Sequence, residues 1–99
     1  MSISFLTSVL NDMDNAARVN RDKAANIVLN QPELVKNLVD LTFDVDNKLS
    51  IKASWVLEWM CTHQGISHII PYLDTFTKNI SKVHFDSVVR PCAKICEHL

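Results

Sequence analysis

The chain has 99 residues, 47% of them hydrophobic, and carries ten Lys and Arg against eleven Asp and Glu for a net charge of −1. That length supports one domain with one modest core. The hydrophobic content excludes a disordered chain, and the charge balance excludes broad, charge-driven nucleic-acid binding, which needs a basic excess. One glycine and three prolines are too few breakers for the tight turns of an all-β fold, so an all-α chain is expected.

The three cysteines, Cys61, Cys92 and Cys96, are an odd set without disulfide-framework spacing. They point to reduced thiols and a cytoplasmic setting. The N-terminal run Met1-Ser-Ile-Ser-Phe-Leu-Thr lacks the basic start and long apolar core of a signal peptide. No apolar segment is long enough to span a bilayer, so no membrane partner is expected.

The first helix is predicted over 3–10, with Ile3, Leu6 and Leu10 on one face, Phe5 and Val9 beside them, and Ser2 or Ser4 as cap. A second helix is predicted from about Asn15 to Leu29. Ala17, Arg21, Ala24, Ala25 and Val28 follow its spacing, and Arg18, Asp22 and Lys23 lie on its exposed face. Its alanines keep it thin, so that a neighbouring helix can pack close. Asn30-Gln31-Pro32 ends it.

Pro32 then suits the first turn of a third helix, whose stripe is Leu34, Val35, Leu38, Val39, Leu41 and Thr42 and which stops near Phe43-Asp44. Asp44–Asn47 is a turn with N-cap chemistry.

The fourth helix, about Asn47–His63, contains Ile51–Thr62 with both tryptophans, Trp55 and Trp59. Apolar residues at 49, 51, 53, 55, 56, 57, 59, 60 and 61 cover most of its circumference. A helix apolar nearly all round is packed on several sides, so this one is expected at the centre, with Trp55 and Trp59 as core. Replacing either by alanine is then expected to cost roughly 3–5 kcal/mol.

His63-Gln64-Gly65 is the break, with glycine as C-cap. A fifth helix is predicted over about Ile66–Ile80, kinked at Pro71. A sixth is predicted over about Phe85–His98, with Val88, Val89, Cys92, Ala93, Ile95 and Cys96 on its apolar side and Pro91 inside. Its pattern runs into Leu99 without a terminating signal, as expected of an array cut short.

The helix pairs repeat. Glu33-Leu-Val-Lys-Asn-Leu-Val opens the pair that ends in the tryptophan helix, and His68-Ile-Ile-Pro-Tyr-Leu-Asp opens the pair that ends in Ile95-Cys96. Ile51-Lys52 and Val89-Arg90 fall at matching places, with Asn20-Arg21 as a weaker third copy. A two-helix repeat of roughly 35–40 residues is the signature of an α-solenoid, in which each pair buries its apolar face on the next.

Asp86-Ser-Val-Val-Arg90-Pro-Cys-Ala93 resembles the Asp-x-x-Val-Arg-x-x-Ala segment of HEAT repeats, and Ile69-Ile-Pro71-Tyr-Leu73 is similar to their proline-containing first helices. The whole chain further resembles small HEAT-like bacterial proteins of the Bacteroidetes. The residues that carry this are Asn30-Gln-Pro32-Glu33-Leu, Lys52-Ala-Ser-Trp55-Val-Leu-Glu58, Pro71-Tyr-Leu-Asp74-Thr-Phe76 and Val89-Arg90-Pro91-Cys-Ala-Lys-Ile-Cys-Glu97. The resemblance implies a HEAT-like stack of about three hairpins, a longer C-terminus, and the label adenylosuccinate lyase that members often carry. Lyases of that superfamily have a glycine-rich loop with a serine base and a Ser-Ser-x-Met-x-x-Lys-x-Asn signature. Gly65 is the single glycine here and no serine pair precedes a methionine.

Candidate functional residues are few. Cys92 and Cys96 are four apart, with Cys61 and His63 near a helix end, but no Cys-x-x-Cys pair supports a metal. Core packing is the expected role of the cysteines, and no cofactor is expected. Glu58 lies on the most apolar helix, where an unpaired buried charge is costly. Arg90 is its expected partner, with Lys94 or Lys52 as alternatives. Arg21, Lys52 and Arg90 occupy similar places on the second helices of the three pairs. Either they line a basic ridge for nucleic acid or each bonds an acid or carbonyl of the adjacent turn. His68 and His84 are expected to be surface or capping residues. The function expected is non-enzymatic protein interaction, through the face of the second helices or by self-association through an exposed end of the stack. Nucleic-acid binding is the alternative, followed by the lyase.

Overall fold

The computed structural model describes residues 2–15 and 17–98, with the side chains of Ser2 and Ile3 excepted. The expected places of Ser2 as cap, of Ile3 on the first apolar face and of Leu99 at the chain end lie outside the described residues. All regular structure among the described residues is helical. It comprises α1 (Ser2–Asn11), α2 (Arg18–Asn30), α3 (Glu33–Thr42), α4 (Leu49–Trp59), α5 (Leu73–Asn79) and α6 (Asp86–Cys96), with short 3-10 and π segments between.

α2 starts at Arg18 rather than at Asn15. Asn15 Oδ1 accepts the backbone N–H of Ala17 at 2.8 Å and the side-chain amide of Asn20 at 3.1 Å. This local turn competes with helix and leaves Ala17 exposed instead of in the core. Ala24, Ala25 and Val28 are the buried face of α2. In α3 the whole expected stripe is buried, and Thr42 Oγ1 donates to the Leu38 carbonyl at 2.9 Å, which satisfies the hydroxyl inside the core. The next turn also follows its sequence. The Asn47 N–H reaches the Asp44 carbonyl at 2.9 Å, and Asn47 Oδ1 accepts from the Leu49 N–H at 2.9 Å.

α4 runs without a break into a π-helical turn, Met60–Gln64, which ends at Gly65 with φ +119°. That backbone conformation is strained for any side-chain-bearing residue, so glycine is needed at this stop. Beyond it, the single helix expected over Ile66–Ile80 is divided. Ile66–Tyr72 is 3-10 helix, Leu73–Asn79 is α5, and Ile80–Lys82 is again 3-10. Pro71 has no N–H to donate, and in α-helix its ring would clash with the carbonyl four residues back, so regular α-helix begins only beyond it.

Pro91, by contrast, sits inside an unbroken α6. It leaves the carbonyl of Ser87 without its usual donor four residues on. Ser54 Oγ of α4 lies 3.5 Å from that carbonyl, while its shorter bond, 2.7 Å, goes to the Ile51 carbonyl. The proline therefore marks where α6 meets α4.

α4 packs against α1, α2, α3 and α6, and Ser50, Ala53, Ser54, Val56, Leu57, Glu58 and Trp59 are buried along it. α1 packs on α3, and α3 on α5 and the 3-10 segment before it; α2 packs on α4, and α4 on α6. α3 also packs along α4, and the helices surround one shared core. The core between them includes Leu6, Leu10, Leu34, Leu38, Val56, Leu57, Met60, Ile69, Phe76 and Ile95. Trp59 is 6% exposed, whereas Trp55 is only half-buried and packs on the edge of the core. Trp59→Ala is expected to cost about 3–5 kcal/mol and Leu57→Ala about 2–5 kcal/mol. Trp55→Ala should cost distinctly less than Trp59→Ala, as read from urea midpoints at unchanged m-value.

Candidate functional site

Glu58 is 6% exposed, so its charge must be matched within the protein. The match comes from α2 and not from α6. Arg21 Nη1 lies 3.6 Å from Glu58 Oε1, and Thr62 Oγ1 donates to Glu58 Oε2 at 2.5 Å. The expected partner Arg90 instead pairs with Asp86 one turn away on its own helix, at 3.0 Å and well exposed. Glu58 stands four residues before Thr62, on the side of α4 that meets α2, while Arg90 points from the outer side of α6.

The same side of α4 carries Trp59. Its indole N–H donates to Asp22 Oδ1 at 3.3 Å, the Arg21 guanidinium sits 5.0 Å from the ring centroid, and the His63 imidazole stacks on it at 3.8 Å. Cation–π attraction and the satisfied N–H both favour this burial. Gln64 of the π turn adds a bond to Asn26 Oδ1 at 2.9 Å. α2 is therefore joined to α4 and the π turn by a polar seam. Arg21 is about three-quarters buried and its Nε–H has no acceptor, so this guanidinium is not saturated by Glu58.

Beside the seam opens a cleft of about 350 Å³. Arg18 and Arg21 of α2 line it, with Glu58 and Trp59 of α4 and Thr62 and His63 of the π turn. Lys94 of α6 and the following Glu97 and His98 complete it. Thr62 Oγ1 and His98 Nε2 are 3.4 Å apart. Of the residues singled out in the sequence, the cleft gathers Arg21, Glu58 and Trp59. Lys52, half-buried, and Arg90, exposed, are not part of its lining. Thr62 and His98 escaped sequence reasoning. The signal for Thr62 was its position four residues after a buried acid; His98 had none.

The remaining candidates fall elsewhere. His84 is exposed and lies 3.3 Å from Asp46 Oδ1, and His68 is half-buried in the 3-10 segment. Among the described residues no group of three or more His, Cys, Asp or Glu is placed to hold a metal ion, and no helix is long and apolar enough to cross a membrane. The cysteines divide. Cys61 and Cys92 are buried, but Cys96 is exposed and is not core. Burial first, and the Glu58 carboxylate second, push the Cys61 thiol up to about 12; burial, then Cys96, does the same for Cys92. A smaller groove of about 100 Å³ beside α1 and α2 is lined by Val9, Asp12, Met13, Asn20, Lys23, Ala24 and Ile27.

In comparisons with known proteins, no family model, curated protein or solved structure matches the chain.

Glu58→Gln should destabilise the protein by about 1–3 kcal/mol, since it strands a buried guanidinium. Combined with Arg21→Met, its cost should fall short of the sum of the single changes; additive costs in a double-mutant cycle would disprove the tie. The buried thiols set an alkaline limit. Below the ordinary thiol value of 9.0 both are neutral, folded or unfolded, and their burial is fully favourable. Between 9.0 and about 12 the unfolded chain ionises and the folded one does not, so stability falls with rising pH. At pH 8, iodoacetamide should label Cys96 rapidly and Cys61 and Cys92 only on unfolding.

Proposed function

We propose that the chain is a non-enzymatic, HEAT-like helical-repeat module of about three hairpins that recognises a protein partner through the face of its second helices. In this reading α1–α2, α3–α4 and α5–α6 are the three pairs. The contacts of α1 with α3, of α2 with α4 and of α4 with α6 support it.

The observation that carries the functional reading is the composition of the cleft. Its lining comes from α2, α4, the π turn, and α6 with the two residues after it, and joins arginine, tryptophan and histidine with acids of opposite sign. Arginine and tryptophan in a concave, partly desolvated site are the residues that dominate protein–protein hot spots, and mixed charges give register and specificity. The nucleic-acid alternative loses support because Arg90 is paired with Asp86 and only Arg21 of the three expected ridge residues lies in the cleft, beside Glu58. The lyase reading gains none, because the Glu58 carboxylate is held by Arg21 and Thr62 rather than free to act as a base.

The test is affinity capture from an extract of the source cell, read by mass spectrometry, with the wild-type chain and with an Arg18→Glu/Lys94→Glu double variant of unchanged circular dichroism. A protein retained in stoichiometric amount by the first and lost by the second is expected. Equal retention by both, or none by either, would refute this reading. Salt-sensitive binding of an oligonucleotide that is lost in the same variant would shift the conclusion to nucleic acid.

A further inference from the structure

We infer that the cleft between α2, the π turn and the end of α6 is a binding site for a phosphoryl group carried by a small molecule. The inference goes beyond the partner reading and does not depend on it. It begins with an electrostatic anomaly. The first turn of α2 contains no acid, and no side chain caps its N-cap residue, Ala17. Instead Arg18 and Arg21 stand there, where the helix dipole is positive and cations are disfavoured. Arg21 is partly compensated by Glu58. Arg18 has no ion-pair partner among the described residues, and neither has Lys94, which reaches the same cleft from α6.

The cleft itself is the second, independent observation. Its volume of about 350 Å³ falls within the ordinary range of small-ligand sites, about 300–1,000 Å³. Donor-bearing residues line it from three elements: Arg18 and Arg21 of α2, Lys94 of α6, and His63 of the π turn. A carboxylate is saturated by one arginine fork. A phosphoryl group has three acceptor oxygens, carries nearly two charges, and is matched by several donors from different directions. Glu58 does not oppose it strongly, being buried and bonded to Arg21 and Thr62. Glu97 does oppose it, as an exposed acid in the lining, and so acts as a selectivity element. The π turn fits the same picture. Such turns are rare and concentrate at functional sites, and this one brings Thr62 and His63 into the lining.

The test uses the purified full chain at fixed pH and ionic strength, titrated with inorganic phosphate, a pentose phosphate and acetate. Binding is followed by calorimetry and by amide chemical shifts. Saturable binding of both phosphates is expected, with shifts centred on Arg18, Thr62, His63 and Lys94, and weak, non-saturating binding of acetate. Arg18→Gln and Lys94→Gln should each weaken binding by about tenfold, the scale of one charge-assisted hydrogen bond. Glu97→Gln should tighten it, and Lys82→Gln, outside the cleft, should leave it unchanged. The inference is overturned if neither phosphate saturates, if acetate binds as tightly, if Lys82→Gln weakens binding as much as Arg18→Gln does, or if the shifts centre on another surface. Because no partner protein is present, these results stand apart from those of the capture experiment.

Discussion

A carboxylate buried in the central helix needs a cation and a donor within reach, and the arrangement around α4 answers to that need. Glu58 receives Arg21 from α2 and Thr62 from its own helix one turn on. Arg21 in turn lies over Trp59, whose N–H is taken by Asp22, also of α2. These links fix which residues of α2 face α4. Apolar burial alone is non-directional and would tolerate a rotation or slide of a thin alanine-faced helix such as α2. The polar seam removes that freedom, since a shifted α2 would strand a buried acid and an indole N–H.

The opposite side of α4 is held differently. There α6 approaches at Ser54 and Ser87, around the carbonyl that Pro91 releases. One side of the central helix thus uses charge and aromatic stacking, and the other uses small residues and close approach. The cleft forms at the end where the two sides diverge, beyond Trp59, as α4 gives way to the π turn and α6 reaches its last residues. Its walls inherit the charged character of the α2 seam together with Lys94 and Glu97.

Much of the fold was legible in the sequence because helical spacing reports directly on burial. The stripe of α3, the encircling apolar surface of α4 and the stop at Gly65 all appear as expected. The misreadings have local physical causes. Asn15 ties itself into a side-chain turn, which delays α2. Pro71 holds off regular α-helix until beyond it, which divides the fifth helix. At the candidate site the sequence pointed to Glu58 as the polar residue to explain, yet named the wrong partner. Position in a repeat says which helices are neighbours of a sandwiched one, but not which neighbour a given side chain faces. Arg21 and Arg90 were equivalent on that basis, and only packing distinguishes them. Thr62 left a trace in its spacing from Glu58, but its meeting with His98 depends on a change of helical winding that leaves no clear mark on residue pattern.

That change of winding also sets how the chain tolerates altered length. A π turn holds more backbone per revolution than an α turn, so Met60–Gln64 acts as a spacer of one residue spliced into an otherwise regular rod. Removing a single residue there would let the rod continue as ordinary α-helix without breaking it. The residues downstream would then emerge in nearly the same phase, because the wider π turn absorbs its extra residue locally. Gly65 would leave in nearly its present direction, and what would be lost is the widened turn that brings Thr62 and His63 into the lining of the cleft. The segment is one residue of slack in the rod, and its presence matters to the cleft more than to the path of the chain beyond it.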